Sequence, residues 1–287
     1  MGNTNFDTLW DYSQPAQTEA HFRALLPQFT EQNPLRLELL TQIARTQGLQ
    51  RQFAAAHATL DEVEAALKQP PDRVTVRYWL ERGRVFNSAG EPAQARPLFL
   101  AAWETATQLG EEYHAIDAAH MLGIIEPPEE QLGWNLKALE IARQATDPRA
   151  RQWAGSLNNN IGWSYFDASD YTTALDYFQR ALAAREEQKN ERAIGIARWC
   201  IAKTLRVLGR VAEALAEQQA LLAQYKAQGT EDGYVYEELG ECYLALAQPE
   251  QAAPYFAQAY ASLSQDPWLA ANEAPRMERM QALSRTG

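Results

Sequence analysis

The stretch WLERGRVF at residues 79–86 decides the fold, because its glycine belongs to a column of small residues that returns along the whole chain. Successive members are 39, 40, 39, 40 and 38 residues apart: Ala44, Gly83, Gly123, Gly162, Ala202 and Gly240. A nearly fixed period of this length is typical of a repeat solenoid, in which each unit packs only on its neighbours. The period therefore predicts an extended repeat surface, which favours binding over catalysis.

Further columns share this period. Alanine stands twelve residues after the small residue in five units, with Asn135 as the exception: Ala56, Ala95, Ala174, Ala214 and Ala252. A large apolar residue stands sixteen residues after it in five units, with Gln218 as the exception: Leu60, Phe99, Leu139, Phe178 and Phe256. Small residues that face large ones let two helices pack without voids. Each unit is therefore predicted to be a helix, a short turn and a second helix.

These columns resemble the tetratricopeptide repeat family. The residues that carry the resemblance are WLERGRVF at 79–86 with Phe99, IGWSY at 161–165 with Phe178, and LGECY at 239–243 with Phe256. The units are longer than the usual 34 residues of the family, and in this they are similar to the repeats of kinesin light chains and of bacterial peptide-sensing regulators. The resemblance implies an all-α, right-handed superhelical solenoid whose concave groove is lined by the first helix of each unit.

The periodicity predicts one solenoid over residues 35–265 with a helical cap at each end. The expected N-terminal cap is 1–34, and the expected C-terminal capping helix and tail are 266–287. Six repeats are expected between them: 35–70, 72–110, 111–147, 148–189, 190–229 and 230–265.

Composition narrows the class of protein. The formal net charge is −11, and no run of Lys or Arg is present, so a nucleic-acid partner is not expected. The two cysteines, Cys200 and Cys242, do not form a disulfide framework and favour a cytoplasmic location. The chain shows neither a secretory signal nor a long apolar stretch, so we expect no membrane partner.

Helical geometry predicts which side chains line the groove. In the fourth unit, at about 100° per residue, Asn158, Ile161 and Gly162 share the packing face. Asn159, Asn160 and Trp163 then lie on the opposite face. Asn can clamp the backbone of an extended peptide, as groove asparagines do in the resembled family, and a large aromatic side chain is a typical binding anchor. The alternative for the two asparagines is a solvated polar face without a ligand.

The same geometry extends the predicted groove to all six units. Its residues are Arg45, Arg77, Arg84, His120, Asn159, Asn160, Trp163, Trp199, Lys203, Arg206, Glu237 and Glu241. The groove is thus predicted to be basic at its N-terminal end and acidic at its C-terminal end. In this hypothesis the first three arginines pair with carboxylates of a partner, and the two tryptophans take apolar side chains. The alternative for each arginine is an ion pair within the solenoid.

One cluster offers a chemistry other than peptide binding. His114, Asp117 and His120 are three residues apart and share a loose helix face. Helical zinc sites more often use histidines four residues apart, so we expect ordinary hydrogen bonding here rather than a metal or catalytic site.

The sequence thus predicts a non-enzymatic scaffold that binds a protein or peptide, with no metal and no cofactor. Two alternatives stay open. One is a regulatory sensor that responds to a peptide or a small ligand, and the other is a module that self-associates into a homo-oligomer.

Overall fold

The computed structural model describes residues 6–31 and 33–285, and these residues form α-helices, two short 3₁₀ helices and connecting turns, with no strand among them. They fall into two compact units, unit 1 (Met1–Trp153) and unit 2 (Ala154–Gly287). Within residues 6–31 and 33–285, no helix is both long and apolar enough to cross a membrane.

Unit 1 contains three complete helix pairs and part of the next. After a 3₁₀ helix at Phe6–Leu9 its helices are α1 (Pro15–Leu25), α2 (Pro34–Leu49), α3 (Phe53–Ala65), α4 (Arg73–Ser88), α5 (Pro92–Leu109), α6 (Glu112–Ile125), α7 (Pro128–Gln144) and α8 (Pro148–Gln152); a second 3₁₀ helix, Leu26–Gln28, follows α1.

Unit 2 contains the three remaining pairs and two terminal helices. These are α9 (Ala154–Asp167), α10 (Tyr171–Glu187), α11 (Glu191–Val207), α12 (Val211–Ala227), α13 (Gly233–Ala245), α14 (Pro249–Leu263), α15 (Pro267–Asn272) and α16 (Ala274–Leu283). The predicted all-α fold of six helix–turn–helix repeats with terminal caps is confirmed.

The small-residue column sits where a second helix crosses its first helix. A Cβ atom built on Gly83 would lie 2.5 Å from the ring of Phe99, and one on Gly162 would lie 2.6 Å from the ring of Phe178. Both phenylalanines are fully buried. The glycines are therefore required for close approach, because even a methyl group would collide with the partner ring.

In the third helix pair the small residue does not pack against an aromatic ring, and this pair is also the one in which Asn135 replaces the alanine of the repeat. At Gly123 the neighbour is the amide of Asn135, 2.9 Å from the position of a Cβ atom. Asn135 is buried, and its Nδ2 donates to the carbonyl oxygen of Gln131. The polar exception in the alanine column is thus part of the packing.

The turns within five pairs share one geometry. A residue with φ between 57° and 84° ends each first helix: Arg51, Gly90, Ser169, Gly209 and Ala247. The backbone N–H of the residue that follows donates to the carbonyl oxygen of the residue three positions after the small residue, with an N–O distance of 2.9 Å in all five pairs. This is the bond that closes a left-handed helix ending. The third pair instead turns through Glu126 and Pro127, both with negative φ.

Residues 6–14, the N-terminal segment, lie within the predicted N-terminal cap and precede its helix α1, but they form no α-helix themselves. A single 3₁₀ turn is followed by non-helical backbone up to α1. Phe6 is buried and packs edge-to-face on Phe29. Tyr12, in contrast, is 58% exposed. Residues 1–5 and 32 of the predicted cap lie outside the described residues.

Candidate functional site

The predicted groove residues lie on the first helices of the pairs: α2, α4 and α6 in unit 1, and α9, α11 and α13 in unit 2. We call the surface that these side chains form the first-helix face of each unit. Arg45 of α2 contacts Glu81 of α4, and Arg84 of α4 contacts Asp117 of α6. These side chains therefore bridge neighbouring first helices, whereas the small residues face the second helices.

In unit 1 the N-terminal segment lies on this face. Trp10 Nε1 donates to Gln42 Oε1 at 2.8 Å. The rings of Trp10 and Tyr12 stack with centroids 4.8 Å apart. The guanidinium of Arg45 lies 5.5 Å from the first ring and 5.4 Å from the second, a cation–π arrangement. The predicted groove residue Arg45 is thus covered by aromatic side chains of its own chain.

Arg77 is held from two sides. Its guanidinium donates to both carboxylate oxygens of Asp7, at 3.1 to 3.3 Å. Arg149, from α8, donates to the same carboxylate at 3.0 Å. The Nε of Arg77 also lies 3.4 Å from Glu38 Oε2. Only 6% of the Arg77 side chain is exposed, so the charge is buried and neutralised within unit 1.

Arg84 belongs to a buried network. It donates to Glu81 at 2.6 Å and makes a short contact to Asp117. Burial disfavours the charged forms, but the mutual attraction is stronger: it raises the pKa of Arg84 and lowers that of Asp117. Arg45, Arg77 and Arg84 thus all form ion pairs within the chain, which is the alternative that the sequence left open for each arginine.

The histidine cluster has the features of a structural site. His114 is 2% exposed, and its Nδ1 lies 3.1 Å from Glu111 Oε2. His120 packs against Trp153 with ring centroids 5.0 Å apart. Burial lowers the pKa of both histidines. No group of three His, Cys, Asp or Glu in residues 6–31 and 33–285 has the geometry of a metal site.

In unit 2 aromatic side chains form a row across the three first helices. The ring of Trp163 on α9 lies 6.0 Å from that of Trp199 on α11, which in turn lies 5.9 Å from Tyr234 on α13. Trp199 Nε1 donates to the carbonyl oxygen of Tyr234 at 3.0 Å. Trp163 also packs edge-to-face on Phe178, so it joins the repeat core to the surface. We call Trp163, Trp199 and Tyr234 the aromatic row.

A pocket of about 200 Å³ opens beside the aromatic row. Its apolar and aromatic lining residues include Trp199, Tyr225, Tyr234 and Ile196, which is 48% exposed, and Asp232 also lines it. Gly195 also lines the pocket, and a Cβ atom at this position would collide with the hydroxyl of Tyr225. Its size and lining suit one apolar side chain.

The predicted polar residues flank the row. Asn159 Oδ1 accepts from the thiol of Cys200 at 3.7 Å, and burial raises the pKa of that thiol to about 12. Asn160 lies half-buried on the same helix, and its backbone carbonyl accepts from Ser164 at 3.2 Å. Lys203 Nζ lies 5.2 Å from the ring of Trp199.

The acidic residues predicted for the C-terminal end of the groove also form ion pairs within the chain. Glu237 pairs with Arg276, and Glu241 pairs with Arg279, both from the terminal helix α16. The fully buried Glu238 lies between Lys203 and Arg206. The carboxylates thus receive partners that a reading of single helices does not reveal.

Sequence reasoning missed a second glycine column, which is confined to unit 2. Gly155, Gly195 and Gly233 each stand seven residues before the small-residue column. A Cβ atom there would collide with a side chain thirty residues later, respectively Arg185, Tyr225 and Leu263. The signal is present in the sequence, but the corresponding positions of unit 1 hold Leu37, Val76 and Ile116.

No protein-family model matches the sequence. Solved structures do match. RapI in its apo form is similar with a TM-score of 0.69 and 14% identity, over 89% of this chain and 73% of that one. A second match is a Signal Transduction ATPase with Numerous Domains from Pyrococcus horikoshii that has a tetratricopeptide repeat sensor. Its TM-score is 0.71 and its identity 14%, over 94% of this chain and 42% of that one. The fold is that of tetratricopeptide repeat proteins.

A third similar structure contains a bound factor. A Rap protein complexed with competence and sporulation factor is similar with a TM-score of 0.51 and 17% identity, over 87% of this chain and 77% of that one. At these identities the three similarities establish the repeat fold alone, because one fold can carry many unrelated functions.

Proposed function

We propose that this chain is a non-enzymatic binding protein and that the first-helix face of unit 2 holds an extended segment of a protein or peptide partner. The aromatic row carries this proposal. Trp and Tyr are the residue types that dominate binding energy at interfaces. Here three of them form one continuous surface beside a pocket of about 200 Å³.

The surroundings of the row support a peptide ligand. A partner's apolar side chain would enter the pocket between Trp199 and Tyr234. Asn159 and Asn160 lie on α9, the first helix that precedes the one carrying Trp199, and their amide groups can bond to a peptide backbone. Lys203 lies beside Trp199 and adds a positive charge at the edge of the row. Two free, buried cysteines favour a cytoplasmic site of action.

A regulatory sensor is the second candidate. It is supported by the two similar structures in which a tetratricopeptide repeat protein is described as a sensor or is complexed with a factor. A sensor would use the same row, and ligand binding would change the conformation of the chain. Small-angle scattering with and without a bound peptide would distinguish it from a passive scaffold.

The experiment is selection of peptides from a random library on the full-length chain, followed by affinity measurements on variants. Trp199→Ala should weaken the selected peptides by about 2 kcal/mol, or about thirtyfold. Trp268→Ala is the matched control, because Trp268 lies on α15 and is 62% exposed. Equal affinities for wild type and Trp199→Ala would contradict the proposal.

A further inference from the structure

The N-terminal segment presents two recognition groups to the first-helix face of unit 1. Asp7 lies in the 3₁₀ helix Phe6–Leu9, and Trp10 follows directly after it. Because a 3₁₀ helix has three residues per turn, side chains three apart point to the same side. The carboxylate and the indole thus act together, and both reach first helices of unit 1.

The carboxylate of Asp7 neutralises a buried charge at the edge of a cavity. The cavity measures about 420 Å³, and Arg73, Arg77 and Arg149 all line it. Asp7 is bonded by the latter two. No described residue accepts a hydrogen bond from the buried Nε of Arg77. Without Asp7, this guanidinium would keep only its contact to Glu38.

The cavity also has acidic walls, but their carboxylates are already engaged. Glu38 accepts from Arg73. Glu111 bonds to His114. Glu112 accepts from two backbone N–H groups, and Asp147 from Arg149. With these bonds kept, none of the four carboxylates replaces the contact that Asp7 makes to both Arg77 and Arg149.

The aromatic part of the segment is held by side-chain contacts at the surface. Trp10 packs on Phe22, bonds to Gln42 and stacks on Tyr12, which is largely exposed. Phe6, in contrast, is fully buried. Phe6 therefore anchors residues 7–12 beside the face, and the backbone of Asp11 is also bonded to the hydroxyl of Thr18. A tethered segment of this kind has a high effective concentration for its own site.

We propose that the first-helix face of unit 1 is a second recognition site. Its ligand is a segment of a partner protein that carries a carboxylate followed three residues later by an aromatic side chain, and residues 7–12 occupy the site in its absence. Arg77 and Arg149 bind the carboxylate of the ligand by bidentate and charge-assisted hydrogen bonds. Gln42 and Arg45 contact its aromatic side chain, the first by a hydrogen bond and the second by a cation–π interaction, as they contact Trp10 here. This inference does not depend on the aromatic row of unit 2.

The test uses a fluorescent synthetic peptide with the sequence of residues 6–14, FDTLWDYSQ, and the full-length chain. The double variant Asp7→Ala/Trp10→Ala removes both groups in cis and keeps Phe6. We expect this variant to bind the peptide at least about tenfold tighter than wild type does, because the competing segment has lost its contacts. Asp7→Asn, a change of nearly the same shape, should give a smaller gain and guards against misfolding of the double variant.

Specificity is tested on both partners. The same peptide with Asp7→Asn should bind the double variant at least about tenfold more weakly. Adding Arg77→Gln to the double variant should abolish the gain. Trp199→Ala should leave peptide binding unchanged, which separates this site from the row of unit 2. Equal binding by wild type and both cis variants, or equal affinity for the peptide and its Asp7→Asn form, would overturn the proposal.

Discussion

The first-helix faces of the two units are built on the same repeat and yet differ in kind. In unit 1 the face consists of buried ion pairs, and residues of the N-terminal segment lie on it. In unit 2 the face carries the aromatic row, with an apolar pocket beside it. The comparison shows that the small-residue column determines how helices pack, while the residues one turn away are free to build either a charged surface or an aromatic one.

The largest expected effect tests whether the packing beneath the two faces is equivalent. Phe99 in unit 1 and Phe178 in unit 2 fill the same space against Gly83 and Gly162. Phe99→Ala and Phe178→Ala should each lower the free energy of unfolding by about 3–5 kcal/mol. Denaturant unfolding of both variants measures this. A loss below about 1 kcal/mol for either one would show that the two cores are not equivalent.

Phe178→Ala has a further use, because Trp163 packs on this ring. The variant should also weaken peptides that bind the aromatic row, whereas Phe99→Ala should not affect them. Unchanged affinity in the Phe178 variant would separate the row from the core beneath it.

An intermediate effect distinguishes buried from exposed ion pairs. Arg84→Met leaves Asp117 buried without its strongest partner, so we expect a loss of about 3 kcal/mol. The matched variant in unit 2 is Arg279→Met, because the Arg279 side chain is 51% exposed and pairs with Glu241. Its cost should stay below about 1 kcal/mol. Similar losses in the two variants would argue against a buried charged network in unit 1.

The smallest effect is a dependence on pH that only unit 1 should show. All four histidines of the chain lie in this unit: His21, His57, His114 and His120. Burial lowers the pKa of the last three below the ordinary 6.5. Below about pH 6.5 the unfolded chain therefore binds more protons than the folded one, and the free energy of unfolding falls as the pH falls.

Between pH 7.5 and 5.5 we therefore expect the free energy of unfolding to fall, and a histidine that stays neutral in the folded protein over this range contributes at most about 1.4 kcal/mol. Hydrogen exchange should place the acid-sensitive protection in helices of unit 1. His114→Gln should flatten the pH profile, whereas His21→Gln, at an exposed position, is the control. A profile that keeps its slope in the His114 variant would exclude this histidine as the cause.

Much of the repeat architecture followed from the sequence because packing between adjacent helices is local. Gly83 and Phe99 are sixteen residues apart, and a fixed turn brings them together. The partners of charged residues were not predictable in this way. Arg77 meets Asp7 across seventy residues, and Glu237 meets Arg276 across thirty-nine. Such pairs depend on the stacking of several repeats, which no helical projection of one repeat contains.

The alignment of the aromatic row could not be predicted from the repeat columns for a different reason. The sequence predicts Trp163 and Trp199 as groove residues one at a time, but it does not predict that they align with Tyr234. Relative to the small residue of its own repeat, Trp163 stands at +1, Trp199 at −3 and Tyr234 at −6. The row therefore moves back by about one helical turn from each first helix to the next. A search for columns at a constant position cannot find it.

The second glycine column of unit 2 has a consequence for how the chain can be shortened. Each glycine and its partner thirty residues later close one helix pair at the end opposite its turn, from Gly155 to Arg185, from Gly195 to Tyr225 and from Gly233 to Leu263. A truncation within such a span leaves either an unfilled notch or a bulky side chain without its recess. The natural places to delete or insert whole repeats are therefore the short connections at residues 188–190 and 228–232, where none of the three spans is interrupted.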